Sequence, residues 1–200
     1  MGLAVLLETL AKLPMCAPVS YVCFVGAWVC LAGAGTPAEA ATLQQLSLGE
    51  MAQKATAIVR AKVTGSAGML RGADVFTVYQ LETLEILKAP NGIKPASVAV
   101  PGGIAGGLRE VVTGAPALHA GQEYILFLWI SRPGLTQLMG MSQGLFTVER
   151  TTLGAVTATR AAAGEQILDG AGHAVRDETL SMPWAELKSK VMNTLAAGRQ

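Results

Sequence analysis

The sequence predicts a mainly β protein, a small antiparallel barrel with a short N-terminal helix and an amphipathic C-terminal helix. Three observations carry this reading. From Ala57 to Thr159 the apolar residues fall in short runs rich in Val, Ile, Thr and aromatics, separated by Gly, Pro and Asn-Gly punctuation. Helix signals stand only near the two ends, at Ser47–Glu50 and after Ser181. Long open strand edges invite aggregation, and closing the sheet on itself removes them.

The chain has 200 residues, of which 51% are hydrophobic and 14% charged, and a disordered chain would have fewer apolar and more charged residues. Its formal charge is +1, with no block of like charges. That balance excludes a nucleic-acid binder or a polybasic membrane binder driven by charge. One domain is the natural count for this length.

No charged residue lies between Lys12 and Glu39, and Val19 to Ala34 is almost wholly apolar or small. Ala38-Glu39-Ala40 follows as an A-x-A site, so residues 1–40 read as an export signal peptide and 41–200 as the mature domain. If the leader is not cleaved, residues 13–38 become an N-terminal anchor and the only contact with a membrane. Cys16, Cys23 and Cys30 all lie in the leader, which leaves the mature chain without cysteine. A domain without disulfides rests on its core, which suits a bacterial periplasmic or secreted protein better than a small disulfide-stapled one.

Within the mature domain, Ser47 and Glu50 form a capping box with Leu46 and Met51 as the staple, opening a helix from Leu48 toward Ala55. Ala57 to Thr64 then alternates as a strand wet on one side. Val75 to Leu87 has two partly apolar faces, so it is expected to bend or to change neighbours midway. Asn91-Gly92 and Pro95 precede a short strand, Ser97–Val100, ended by Pro101. Gly102 to Gly121 reads as a long glycine-rich loop with a brief strand at Val111-Val112.

Tyr124 to Ile130 is continuously apolar, the pattern of a strand buried on both faces. Arg132-Pro133-Gly134 turns the chain into strands at Leu135–Met141 and Leu145–Val148, with Ala155–Thr159 as an edge. Asp169-Gly170 marks a hairpin between Gln166–Leu168 and Ala174-Val175. The last helix, 181–196, is capped by Ser181 with Pro183 in its first turn. It carries Trp184, Leu187, Val191 and Leu195 on one stripe, with Glu186 and Lys190 on the wet side.

Gly140-Met141-Ser142-Gln143-Gly144 has the G-x-S-x-G form, and Asp169 and His173 follow in the acid-then-base order of a hydrolase. That chemistry needs the serine on a sharp turn from a parallel strand into a helix, whereas Leu145 to Val148 alternates like a strand. A hairpin or bulge using Gly140 and Gly144 is therefore the reading, with Ser142, Asp169 and His173 as the weaker catalytic alternative.

His119 and His173 are the only histidines and stand far apart without a mature cysteine, so no metal set is read. The run Gly102 to Gly107 lacks the following Lys-Ser or Lys-Thr of a phosphate loop, and no cofactor is read either. Phe76 and Tyr79 face opposite sides of their strand, and Phe127 and Trp129 lie in a strand that reads as core, so no stacking platform for nucleic acid is expected.

The series Ala57-Ile58-Val59, Leu84 to Lys88, Val98 to Gly103, Gly114-Ala115-Pro116, Gly121 to Leu128 and Gln143 to Phe146 resembles small exported bacterial proteins of unknown function. Over residues 46 to 150 the pattern is similar to the netrin-like and tissue-metalloprotease-inhibitor barrel, an OB-type fold. The resemblance implies that fold but carries over no inhibitory residue, because those inhibitors reach a catalytic zinc through an N-terminal cysteine. The function expected is a non-enzymatic binding module for an exported protein or envelope component. Its contact loop is Gly102 to Gly121, with Arg109, Glu110 and His119. A small serine hydrolase using Ser142 and an inhibitor of an exported metalloprotease are the two alternatives.

Overall fold

The computed structural model describes residues 42–131, 134–152 and 154–198. The expected leader and anchor, with Cys16, Cys23 and Cys30, lie outside the described residues.

The domain opens with β1 (Thr42–Gln44) and α1 (Leu48–Lys54). The capping box forms as expected: the Ser47 hydroxyl accepts the Glu50 N–H at 3.2 Å and the Glu50 carboxylate accepts the Ser47 N–H at 3.0 Å. At the other end of α1, Lys88 Nζ donates to the carbonyls of Ala52 and Gln53 at 3.1 and 2.7 Å. A cation there suits the orphan carbonyls of a helix end. Burial pushes the Lys88 ammonium below its ordinary range.

A hairpin of two long strands follows, β2 (Ala57–Arg71) and β3 (Asp74–Lys88), turning at Gly72-Ala73. The expected strand ending at Thr64 thus continues for seven further residues, through Gly65-Ser66-Ala67-Gly68. Those small residues carry little strand preference, and the β-branched and aromatic run of β3 holds them in register. Register shifts near Ile58, Arg60 and Val63 bend the ribbon, and β3 takes a second neighbour only over Phe76–Gln80.

Next come β4 (Ser97–Pro101), β5 (Gly103–Ala105), β6 (Leu108–Glu110), β7 (Glu123–Ile130) and β8 (Thr136–Leu138). They are followed by β9 (Leu145–Arg150), β10 (Val156–Arg160), β11 (Gln166–Leu168), β12 (Ala174–Val175), β13 (Leu180–Pro183) and α2 (Trp184–Ala197). The molecule is therefore mainly β with one helix near each end of the domain. The largest sheet runs β13-β10-β9-β7-β2-β3-β4-β8, and β8 also pairs with β7. Strand β7 meets β2 along one edge and divides the other between β9, at Tyr124–Leu126, and β8, at Leu128–Ile130.

Two apolar layers lie on opposite faces of β2 and β7. Met51, Ile58, Ile125, Phe127, Phe146, Trp184, Leu187 and Val191 pack beneath the helices, with the Phe127 and Phe146 rings 5.8 Å apart. Val59, Val63, Tyr79, Val98, Val100, Leu126, Leu128 and Leu138 form the other layer. This is why Tyr124 to Leu128 is continuously apolar. Trp129 and Ile130 outrun both layers and stand 37% and 44% exposed, which corrects the expectation that the whole run is buried.

Three other expectations change. Ser181 belongs to β13, where its hydroxyl meets that of Thr159 at 2.9 Å, and α2 begins at Trp184 with Pro183 as an N-cap that offers no side-chain bond. Pairing with β10 claims the backbone that a helix starting at Ser181 would need. The same pairing places β10 between β9 and β13 instead of at an edge. Val111-Val112 lies outside any strand, because the hairpin of the loop forms earlier, between β5 and β6 around Gly106 and Gly107. The hairpin of β11 and β12 forms as expected, and β1 joins it parallel to β11. Among the described residues no helix is long and apolar enough to cross a membrane.

Candidate functional site

The glycine-rich segment is shaped by what it passes. Gly102 has φ +92° and donates its N–H to the Val75 carbonyl at 2.7 Å, while Thr77 Oγ1 donates to the Gly102 carbonyl at 2.8 Å. A Cβ at Gly103 would collide with that Thr77 hydroxyl, so only glycine lets the chain cross β3 so closely. The β5–β6 hairpin then lies over the distal half of the β2–β3 ribbon, where a Cβ on Gly68 would strike the Ile104 carbonyl. Glu110 ties the hairpin down by accepting the Val75 N–H at 2.7 Å.

Beyond the hairpin, the loop is anchored at three points. Gly114, at φ +80°, packs on the Glu165 side chain. Leu118 is buried in the layer around Leu126. The His119 and Gly121 amides donate to the Tyr124 hydroxyl and the Val63 carbonyl at 2.9 and 2.8 Å. A groove of about 400 Å³ remains beneath the loop, its wall including Thr77, Tyr79, Val100, Arg109, Val112 and Pro116. This volume lies within the range of small-ligand sites, about 300–1,000 Å³.

The three residues expected in the contact loop play different parts. Arg109 is exposed, lines the groove, and makes no ion pair or hydrogen bond among the described residues. Glu110 also lines it, but its carboxylate serves β3. His119 is exposed and is not part of the lining. Thr77, Tyr79 and Val100 were not singled out from the sequence as site residues. Two-residue spacing puts Thr77 and Tyr79 on one face of β3, but only pairing with β4 brings that face beneath the loop.

The G-x-S-x-G pentapeptide forms a 3₁₀ turn, Met141–Gly144, between β8 and β9, two strands that share an edge of β7. Gly140 has φ +59°, and a Cβ at Gly144 would collide with the Met139 carbonyl. Gln143 is buried: its Oε1 accepts the Leu46 N–H at 2.8 Å and its Nε2 donates to the Gln44 carbonyl at 3.0 Å, so it holds the link from β1 to α1. Ser142 is bonded to Glu165, at 3.3 and 3.4 Å from the two carboxylate oxygens.

Asp169 and His173 are engaged elsewhere. The Asp169 carboxylate accepts the amides of Ala171 and His173 at 2.9 and 2.8 Å, and the His173 ring stands 3.4 Å from it. The His173 amide and the others around the turn hold the Asp169 carboxyl below its ordinary value. Among the described residues Ser142 makes no hydrogen bond with His173. The pattern that reads as nucleophile, acid and base in sequence is a turn bonded to Glu165 and a separate self-capped hairpin in space.

A second groove, of about 620 Å³, lies by the ends of α1 and α2 and is lined by Gln53, Leu87, Lys88, Met192 and Leu195. Its cation, Lys88, is committed to the α1 carbonyls. Of these two grooves, the one under the loop has a cation, Arg109, with no side-chain partner among the described residues. No protein-family model matches this chain, and no curated protein matches it.

Proposed function

We propose that this chain is a non-enzymatic binding module of the periplasm or cell exterior, exported by residues 1–40 and built on an OB-type barrel. Its partner is an exported protein or envelope component, taken at the groove beneath the Gly102–Gly121 loop. Support for the barrel comes from a closed circuit of pairings, β7 to β2 to β3 to β4 to β8 and back to β7. The observation that carries the function is the division of labour among polar groups in that region. Thr77 is spent on the loop's backbone at Gly102 and Glu110 on the β3 backbone at Val75, while the Arg109 side chain and the Tyr79 hydroxyl have no hydrogen bond among the described residues and line a groove with apolar walls.

Gly103 and Glu110 face each other across the β5–β6 hairpin, so Ile104–Arg109 can be replaced by a two-residue turn without parting the flanking chain. The shortened protein should stay folded and fail to capture a partner that the intact chain captures from an envelope extract. Equal capture by the two proteins would remove the loop from the account. Export is tested separately by fusing residues 1–40 to a reporter that is active only outside the cytoplasm.

A further inference from the structure

We propose that the groove beneath the glycine-rich loop takes the C-terminal residue of an extended peptide, its free carboxylate on Arg109 and its apolar side chain against Val100, Val112 and Pro116. The inference rests on the binding-module reading above and names the ligand class.

Charge complementarity supplies the first argument. The guanidinium of Arg109 is a permanent cation with a planar fork of donors that matches a carboxylate in two-point geometry. Its side chain has no acidic partner among the described residues, unlike Arg60, Arg150 and Arg160, which all sit on carboxylates. The one acid in the lining, Glu110, already accepts the Val75 amide. The lining therefore leaves one positive charge unanswered.

The backbone supplies the second argument. Strand β6 pairs only with β5 among the described residues, so the outer edge of Leu108–Glu110 presents peptide groups beside the groove. An extended peptide can add to such an edge and deliver its terminus to Arg109. Ile104 and Val111, 67% and 78% exposed, stand on either side of that edge in sequence and offer apolar contacts to upstream residues. A fatty acid shares the carboxylate and the apolar tail but has no amides for the strand edge.

The test uses the full chain and fluorescence anisotropy with a labelled octapeptide ending in Ala-Val-Leu. The peptide is offered as the free acid and as the C-terminal amide, with decanoate as a competitor. The free acid should bind, amidation should weaken binding about tenfold or more, and Arg109→Gln should cause the same loss for the acid and no further loss for the amide. Arg109 is exposed, so the variant is expected to fold, and its circular dichroism should match that of the parent.

Equal binding of acid and amide, no effect of Arg109→Gln, decanoate binding as tightly as the peptide, or no peptide binding would each overturn the inference. The hairpin replacement separates this from the underlying reading. Partner capture lost with the hairpin while acid and amide bind alike would sink the carboxylate site and leave the binding loop standing.

Discussion

Ser142 and Glu165 meet through hydroxyl and carboxylate, and the loop residue Gly114 packs on that same carboxylate from another part of the chain. The side chain of Glu165 is thus a post between the turn that follows β8 and the loop that covers the groove. Glu165 is buried, at 7% exposure, so its polar atoms need the company they have.

Replacing Ser142 with alanine withdraws a donor from a buried acceptor. The long hydrogen bonds put the cost near the low end of the usual range, about 1 kcal/mol, measurable by urea denaturation. Ligand binding at the groove should persist. A serine-reactive phosphonate should leave Ser142 unlabelled by mass spectrometry, and an adduct there would restore the hydrolase alternative.

Gly114→Ala tests the post from the loop side. A left-handed backbone and a Cβ that collides with Glu165 both oppose the substitution, and together they are expected to cost roughly 2 kcal/mol or more. Displacement of the loop should weaken groove binding, whereas Gly107→Ala, at φ +79° but with open space around its Cβ, should leave binding far less affected. Comparing the two variants by anisotropy separates the collision from backbone strain.

Acid should destabilise the protein partly through Glu123. Its partial burial acts to raise the carboxyl, but the guanidiniums of Arg150 and Arg60, at 3.2 and 3.0 Å, outweigh that and hold it below its ordinary value of 4.5. The folded protein therefore binds this proton less readily than the unfolded chain does. The stability contributed is complete above pH 4.5 and is lost as pH falls through the lower folded value. Arg150→Gln should flatten the acid limb of a denaturation series run from pH 7 downward, and an unchanged limb would remove Glu123 from the account.

A largely enclosed ion pair makes the sharpest stability prediction. Asp177 accepts Arg160 Nη2 at 2.8 Å and the Ala163 amide at 2.7 Å, and both side chains are nearly enclosed, with Arg160 Nε making no hydrogen bond among the described residues. Asp177→Ala strands that guanidinium and should cost about 3–5 kcal/mol by chemical denaturation. The double replacement Arg160→Met with Asp177→Leu should recover most of the loss, since a packed apolar pair avoids the desolvation of two charges.

Much of the fold is legible residue by residue. The Ser47–Glu50 box, the stripe Trp184, Leu187 and Val191, and the two-sided burial of Tyr124 to Leu128 are local periodicities, and each appears where periodicity places it. The distal half of β2 was not legible, because Gly65 to Gly68 acquires strand geometry only from β3. Helix α2 begins late for a related reason: Ser181 has the chemistry of a cap, but the backbone around it is β13, paired with β10.

The candidate site was legible in part. Arg109 could be named from its place in a glycine-rich loop, but Thr77 and Tyr79 face that loop only because β4 pairs beside them. Ser142, Asp169 and His173 keep their order along the chain, yet Ser142 bonds Glu165 while Asp169 and His173 bond each other. By itself the sequence determined the fold class, the two helices and most of the strands in outline, much of the core, and where the greasy N-terminal run ends. Tertiary structure alone decided which polar groups are spent on the backbone and which stay open to a ligand. The physical reason is range: side-chain alternation is set within a few residues, whereas bonds such as Glu110 to Val75 depend on the register of strands far apart in the chain.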